Sequence, residues 1–312
     1  MQSNSVQLQN RQPVRFNKTI EMILIHLVPL LAFFTGTTWF DWTVAIVLYF
    51  TRMFFVTGFY HRYFSHRTFK TSRWFQFVMA FLAQTSMQKG VLWWGAHHRV
   101  HHRTSDTPAD PHSMKLYGFW YSHIGWILGP DFKDTDYEGI SDFSKYPELR
   151  WLNKYHLVPP LTLALLVMVL GGIVNGGSIA ATFSVPGGVS TLLIGYFLST
   201  ILLYHGTFSI NSIMHKLGRQ RYESGDESRN SLILALITLG EGWHNNHHYY
   251  ESSTRQGFYW WEIDITYYIL KVLSWLGLIW DIKEVPKHIK DSRNKREAYQ
   301  LKKEYEQMKK SA

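Results

Sequence analysis

The way apolar residues are gathered along this chain constrains its fold more than any motif in it. Four blocks, Ile20–Trp39, Trp42–Tyr60, His156–Val174 and Val189–Ser209, are almost uncharged, and each approaches the roughly 20 residues that a helix needs to cross a bilayer. Lipid offers a backbone no hydrogen-bond partners, so continuous apolar blocks of this length fold there as helices. The expected fold is an all-α integral membrane protein with four transmembrane helices. Two short links, Thr37–Asp41 and Asn175–Gly188, hold no Lys or Arg, whereas His61–Lys154 holds twelve and the chain beyond Ile210 holds sixteen. Lys and Arg accumulate on the cytoplasmic side of a membrane, which predicts that both termini and the long polar segments face the cytoplasm. The first block follows a polar stretch through Lys18 and is followed at once by another block, so it reads as a retained span and not as a cleaved signal.

The formal charge of +9 is therefore membrane-surface charge and not the footprint of a nucleic acid, and no nucleic-acid partner is expected. Trp74–Gln84 and Ser231–Gly240 are apolar but too short to span, and read as interfacial segments or as parts of a cytoplasmic helical cap over a site. Trp93–Trp94 and Trp260–Trp261 suit the headgroup level, where an aromatic ring is partly wet. The chain divides into a cytoplasmic segment 1–18, a unit 19–282 of four spans plus cap, and a charged tail 283–312 that reads as a solvated helix or a frayed end.

The cap carries the chemistry. His98, His101 and His102 in HRVHH, and His244, His247 and His248 in HNNHH, share the spacing i, i+3, i+4, which at about 100° per residue gathers three rings on one face of a helix. His61 and His66 in HRYFSH, directly after the second block, add a third box. Eight imidazoles on one side of a membrane are poorly explained by packing, because a buried ring without a partner forfeits its hydration; they read as metal ligands. His26, His156, His205 and His288 stand alone and receive no role. The chain has no cysteine, which excludes thiolate ligands, iron–sulfur clusters, disulfides and a cysteine nucleophile. A tetrahedral zinc takes four ligands, so eight imidazoles imply two ions. Imidazole suits iron, copper and zinc alike, and no HExxH motif marks a zinc hydrolase; redox iron is the preferred reading.

In order and context, HRYFSH, HHRVHH and GEGWHNNHH resemble the membrane-bound fatty acid desaturases of the stearoyl-CoA desaturase type, over His61 to Asp264. SDTPADPH, from Ser105 to His112, and NSIMH, from Asn211 to His215, are similar to that family too. The resemblance implies that His61, His66, His98, His101, His102, His215, His244, His247 and His248 bind two iron ions, with Asn211 reaching one through water. It implies a desaturase domain over 19–282, O2 as co-substrate, and insertion of a cis double bond at the ninth carbon of a saturated fatty acyl chain. Acyl-CoA is favoured as substrate over acyl-lipid. No His-Pro-Gly-Gly haem motif occurs, so electrons are expected from a separate donor of cytochrome b5 or ferredoxin type with its reductase. The expected location is a bacterial inner membrane.

Ligating rings usually donate their second N–H to a carboxylate or carbonyl, which nominates Asp106, Asp110 and Glu241 as supports. Tyr250–Glu251 stand where the family carries Phe-Pro, and His97 is a neighbour of the second box and not a ligand. His112 and His123 read as packing. Arg52 falls inside the second block, a costly place for a charge, and the sequence names no partner for it. Two rivals are weighed: an alkane or sterol hydroxylase using the same oxidant, and a metal transporter, whose ligands would line a path across the bilayer instead of clustering on one face.

Overall fold

The computed structural model describes residues 16–129 and 134–311; most of the expected N-terminal segment, residues 1–15, lies outside the described residues. Four helices are long and apolar enough to cross a membrane: Phe16–Thr35, Trp39–Ser65, Val158–Gly176 and Gly188–His215. They coincide with the four expected blocks, but their ends move for local reasons. Gly36, at φ 70°, turns the chain after the first helix. Thr38 Oγ1 accepts the Asp41 amide at 3.3 Å while Asp41 Oδ2 accepts the Thr38 amide at 2.8 Å, so a capping box starts the second helix at Trp39 and takes Trp39–Asp41 out of the expected link. Asp41 is buried, and its Oδ1 accepts from Thr191 Oγ1 at 2.6 Å and Asn175 Nδ2 at 2.8 Å, tying the far ends of the second, third and fourth helices together.

The second and fourth helices run past the expected Tyr60 and Ser209, because polar side chains that lipid would reject are satisfied inside the cap. Val56–Ser65 is wound as a π-helix, so His61 is part of the second helix and does not follow it. Arg52 finds partners after all. Its guanidinium donates to Ser199 Oγ at 2.5 Å, Thr200 Oγ1 at 2.7 Å and the Leu48 carbonyl at 3.2 Å, bridging the second and fourth helices with hydroxyls and carbonyls.

Two cap helices, Arg73–Gln84 and Val91–Thr104, pack against the end of the second helix around a core that includes Phe59, Phe64, Phe75, Met79, Leu92 and Ile140. Arg73–Gln84 buries Phe75, Gln76, Met79, Ala80, Ala83 and Gln84 and leaves Trp74 exposed, which fits an interfacial helix. Leu232–Ile237 likewise exposes Leu232, Ile233, Leu236 and Ile237 around a buried Ala235. Trp260 and Trp261 are surface rings, but Trp93 is buried and Trp94 lines a cavity, so that pair belongs to the interior and not to a headgroup belt. A two-residue antiparallel pairing joins Lys70–Thr71 to Ile279–Trp280. The tail forms the helix Lys295–Ser311, and its first turn is docked: Ala298 is buried against Tyr222, Tyr249, Phe258, Val285 and Ile289.

Candidate metal centre

Each histidine box is set by a different local device. In HRYFSH the His66 amide donates to the His61 carbonyl at 3.3 Å, an i to i+5 bond characteristic of π winding. That winding brings two rings five residues apart to a centroid separation of 4.9 Å. The second box rides on Val91–Thr104, whose first turn is capped from outside: Asn153 Oδ1 accepts the Leu92 and Trp93 amides at 3.1 and 3.0 Å. Gly90 is required there, since a Cβ would stand 2.1 Å from Asn153 Oδ1. Arg99 then fixes the helix to the second span, donating to the Ser65 and Phe64 carbonyls at 2.9 and 2.8 Å and bidentately to Asp142 at 2.8 and 2.9 Å. In HNNHH the two asparagines are the anchors. Asn245 Oδ1 accepts the Arg221 and Tyr222 amides at 2.8 and 2.7 Å, and Asn246 Nδ2 donates to Glu262 Oε2 at 2.9 Å.

These devices bring all nine expected histidines together and sort them into two groups. His61, His66, His98, His102 and His247 form one; His101, His215, His244 and His248 form the other; within each, the ligand-capable atoms lie within 4.8 Å of one another. The i, i+3, i+4 faces are therefore split: His101 leaves its neighbours for the second group, and His247 leaves its neighbours for the first. Nε2 atoms face each other at 2.9 Å for His61–His247, 3.0 Å for His66–His98 and His102–His247, and 3.1 Å for His215–His244. The groups touch through stacked rings of His102 and His248, 4.4 Å apart. Both sit at the same end of the second and fourth helices, so they line no path across the bilayer. Asn211 lines the neighbouring cavities beside His98.

Burial holds the imidazoles of His66, His98, His102, His244 and His247 well below their ordinary range, with neighbouring imidazoles adding to the effect. Burial also lowers His248, against the pull of Asp226. His101 is the exception: burial opposes its charge, but Asp110 at 2.9 Å, helped by Asp226 and Asp106, wins and raises it. Neutral rings present lone pairs, the form a metal takes.

The opposite edges of the rings meet carboxylates. His61 Nδ1 lies 2.5 Å from Glu241 Oε2, His101 Nδ1 2.9 Å from Asp110 Oδ1, and His215 Nδ1 3.8 Å from Asp106 Oδ2, too long for a direct hydrogen bond. The three nominated carboxylates thus all lie beside rings of the nine histidines, Asp110 and Glu241 in direct contact. The sequence reading missed two further carboxylates and an amide. Asp226 stands 2.6 Å from His248 Nδ1; Glu251 stands 3.1 Å from His102 Nδ1 and 3.6 Å from His66 Nδ1; Gln256 Nε2 lies 3.2 Å from His61 Nδ1 and donates to Glu241 at 3.1 Å. Adjacency to HNNHH could have signalled Glu251; Asp226 sits in a polar loop with no motif to mark it.

This donor set fits metal ions. His248 is the clearest test: with Nδ1 held by Asp226, its Nε2 is buried and has no hydrogen-bond partner. Orphaned nitrogens at such burial are costly unless something is bound, and nitrogen donors aimed at one another suit a borderline cation.

An apolar cavity leads to the first group, lined by Met22, Trp93, His97, His112, Trp126 and Tyr204 among others, and reaching His98 and Asn211. A second, smaller one shares Trp94, His98, Thr207 and Asn211 with it and continues past His61 to Met53, Val56 and Thr57. At the junction Gln88 Nε2 donates to Thr207 Oγ1 at 2.9 Å and Trp94 Nε1 donates to Gln88 Oε1 at 3.4 Å, a linkage the sequence reading did not find.

Comparison with known proteins gives one consistent result. Residues 37–274 match the family described as Fatty acid desaturase. The sn-1 stearoyl-lipid 9-desaturase of Anabaena variabilis is 32% identical over 285 residues, covering 89% of this chain and 97% of the relative. The protein of the same name from Synechocystis sp. is 38% identical over 266 residues, covering 84% and 78%. An acyl-CoA 5-desaturase of Anemone leveillei is 35% identical over 272 residues, covering 85% and 78%.

Proposed function

The chain belongs to the fatty acid desaturase family, and from that premise we propose that it inserts a cis double bond at the ninth carbon of a saturated fatty acyl chain. The observation that carries this reading is the meeting of the apolar cavity with the first histidine group at His98 and Asn211. His61, His66, His98, His102 and His247 would hold one iron, and His101, His215, His244 and His248 the other, with Asn211 serving through water. When bound, the two irons supply the oxidising power: O2 with two electrons and two protons takes two hydrogens from neighbouring carbons and leaves as two waters.

Everything else is the work of this chain's residues. The saturated chain offers no polar handle, so its position is set by walls. Trp93, Trp126 and Tyr204 enclose the first stretch, and the Gln88–Thr207–Trp94 linkage forms the turn where the chain passes the histidines. Asp110, Glu241, Asp226 and Glu251 hold Nδ1 edges and so aim Nε2 atoms at the metals. Two headgroups are considered. The relatives named stearoyl-lipid desaturases, and the place of Met22 of the first span in the cavity wall, support an acyl-lipid. Lys89, also in that wall, supports the acyl-CoA expected from the sequence, as a cation for its phosphates.

Electrons would come from a separate acidic carrier, of cytochrome b5 or ferredoxin type with its reductase, attracted by the basic face. The site and both termini would face the cytoplasm, in a bacterial inner membrane. The test is expression in a desaturase-deficient host beside His248→Ala, with mass spectrometry of fatty acids and iron analysis of the purified protein. Monoenes at carbon nine, lost in the variant, and about two irons per chain, the count set by ligand number, are the expected result. An unchanged fatty-acid profile with no iron bound would sink the reading.

A further inference from the structure

The first transmembrane helix is built in two halves. Its far half is anchored: Pro29 and Ala32 are buried, and Val28 and Ala32 pack with Ala45, Val189, Leu193 and Ile194 of the second and fourth helices. In the near half, Phe16–Leu27, no side chain is buried. Between them, α winding gives way to a 3₁₀ turn over Val28–Leu31 that contains Pro29, a break in the i to i−4 ladder where a helix bends. Yet the unburied half is a wall of the acyl cavity, because Met22 lines that cavity together with Lys89, Trp93 and Ile127.

Three imidazoles that the metal centre does not use tie this wall to the interior. His26 Nδ1 lies 2.6 Å from the Met22 carbonyl, and its Nε2 lies 3.1 Å from His205 Nε2. His205 Nδ1 lies 2.9 Å from His123 Nε2, and His123 Nδ1 lies 2.9 Å from Ser212 Oγ. A neutral imidazole has one donor and one acceptor, so the carbonyl at Met22 sets the direction of the whole chain. His26 donates to Met22, His205 donates to His26 and His123 donates to His205, while the Ser212 hydroxyl lies within reach of both His123 Nδ1 and the Phe208 carbonyl, each at 2.9 Å. The next residue toward the cavity is Asn211, whose carbonyl accepts from Ser122 at 2.6 Å. His26 is ten residues into its helix, about 15 Å from the start at the α-helical rise, so no bulk water stands ready to replace a broken bond. His26 and His205, which the sequence gives no role, hold the least anchored wall of the substrate cavity.

We propose that the Phe16–Leu27 half-helix is a lateral gate, latched by His26–His205, through which the acyl tail of a membrane lipid enters the cavity from the bilayer. This inference rests on the desaturase reading above and selects the acyl-lipid as substrate. A lipid keeps its headgroup at the membrane surface, so only the tail must cross the wall, and the swing of one half-helix about Val28–Leu31 is enough to admit it. An acyl-CoA, carried in water, has no need of a sideways opening.

The absence of cysteine makes the gate measurable, because Met22→Cys supplies a single thiol in the cavity wall. In phospholipid vesicles, with a lipid-soluble maleimide as probe, adding His26→Leu should speed labelling about threefold to tenfold, the range for losing one interhelical hydrogen bond in a bilayer. His205→Leu breaks the same pair and should match it, whereas His26→Gln, which can still reach His205, should return the rate toward that of the parent. Equal labelling rates in all of these proteins overturn the gate. The same vesicles, given stearoyl-phosphatidylcholine or stearoyl-CoA with reduced ferredoxin, separate the two readings. Labelling that responds to His26→Leu with neither substrate desaturated overturns the desaturase reading and leaves the gate standing. Desaturated lipid with unresponsive labelling overturns the gate alone, and desaturation confined to stearoyl-CoA overturns lipid entry.

Discussion

On the proposed two-iron reading, replacing Asp226 by asparagine should weaken one metal of the pair and spare the other. Asp226 Oδ2 accepts from His248 Nδ1 at 2.6 Å, and its Oδ1 accepts from Ser224 Oγ at 2.7 Å, from Ser228 Oγ at 2.5 Å and from the Ser228 amide at 3.1 Å. Burial works against this carboxylate, but His248 and the two serines hold it far below the usual carboxylate range, so it is fully charged at neutral pH. Asparagine has the same shape but one oxygen. Placed toward His248, the amide nitrogen opposes the ring N–H; placed toward the serines, it faces three donors. Either orientation leaves a buried donor unmatched and removes the charge that makes His248 a stronger base. Loss of such a support typically costs 10–100-fold in metal affinity, about 1.4–2.8 kcal/mol. His101, His215 and His244 remain, and the five-histidine group keeps Glu241 and Glu251. Dialysis of the purified protein against a graded chelator, with iron counted by mass spectrometry, should show one iron released at roughly 10–100-fold lower chelator concentration than in the parent while the other is unmoved. Two irons held as tightly as in the parent would refute the reasoning, and parallel weakening of both would refute the division into groups.

Other expectations follow from the same geometry. Gln88→Ala removes the bridge between Thr207 and Trp94 at the bend, so double bonds should spread to neighbouring carbons with a several-fold fall in turnover, read by product mass spectrometry; a single unchanged position would count against the bend. Asn153→Ala uncaps Leu92 and Trp93 at the start of the second-box helix and should cost about 1–2 kcal/mol of stability, measured as a lowered thermal midpoint in detergent. For pH, burial lowers His66, His98, His102, His244 and His247 in the fold, so below their unfolded value of about 6.5 the unfolded chain binds more protons than the native one. The iron-free protein should therefore lose stability as pH falls from about 6.5 toward 5, five rings outweighing the opposite pull of His101, and should change little from pH 7 to 8. A midpoint that rises on acidification would contradict this.

The sequence by itself determined the class of fold and the chemistry. Four almost uncharged blocks leave the backbone no option but helices in lipid, and eight histidines in three boxes on a chain without cysteine restrict the donors to nitrogen and oxygen. Both follow from residue identity and short spacing, which a reading along the chain can see. Helix ends were legible only roughly, since the capping box at Thr38–Asp41 and the π-winding at Val56–Ser65 depend on hydrogen bonds that hydropathy does not record. Tertiary structure alone decided which histidine serves with which. A shared helix face places His98, His101 and His102 side by side, yet an imidazole chooses its group by what faces it across the cap, and His101 meets His215, His244 and His248. It also decided the supports. Asp226, Glu251, Gln256 and Asn153 act on residues far along the chain or on edges that no motif encodes, and His26, His123 and His205 stand 179 and 82 positions apart in sequence across their two contacts. A hydrogen bond depends on where two atoms end up in space, and only folding brings those atoms together.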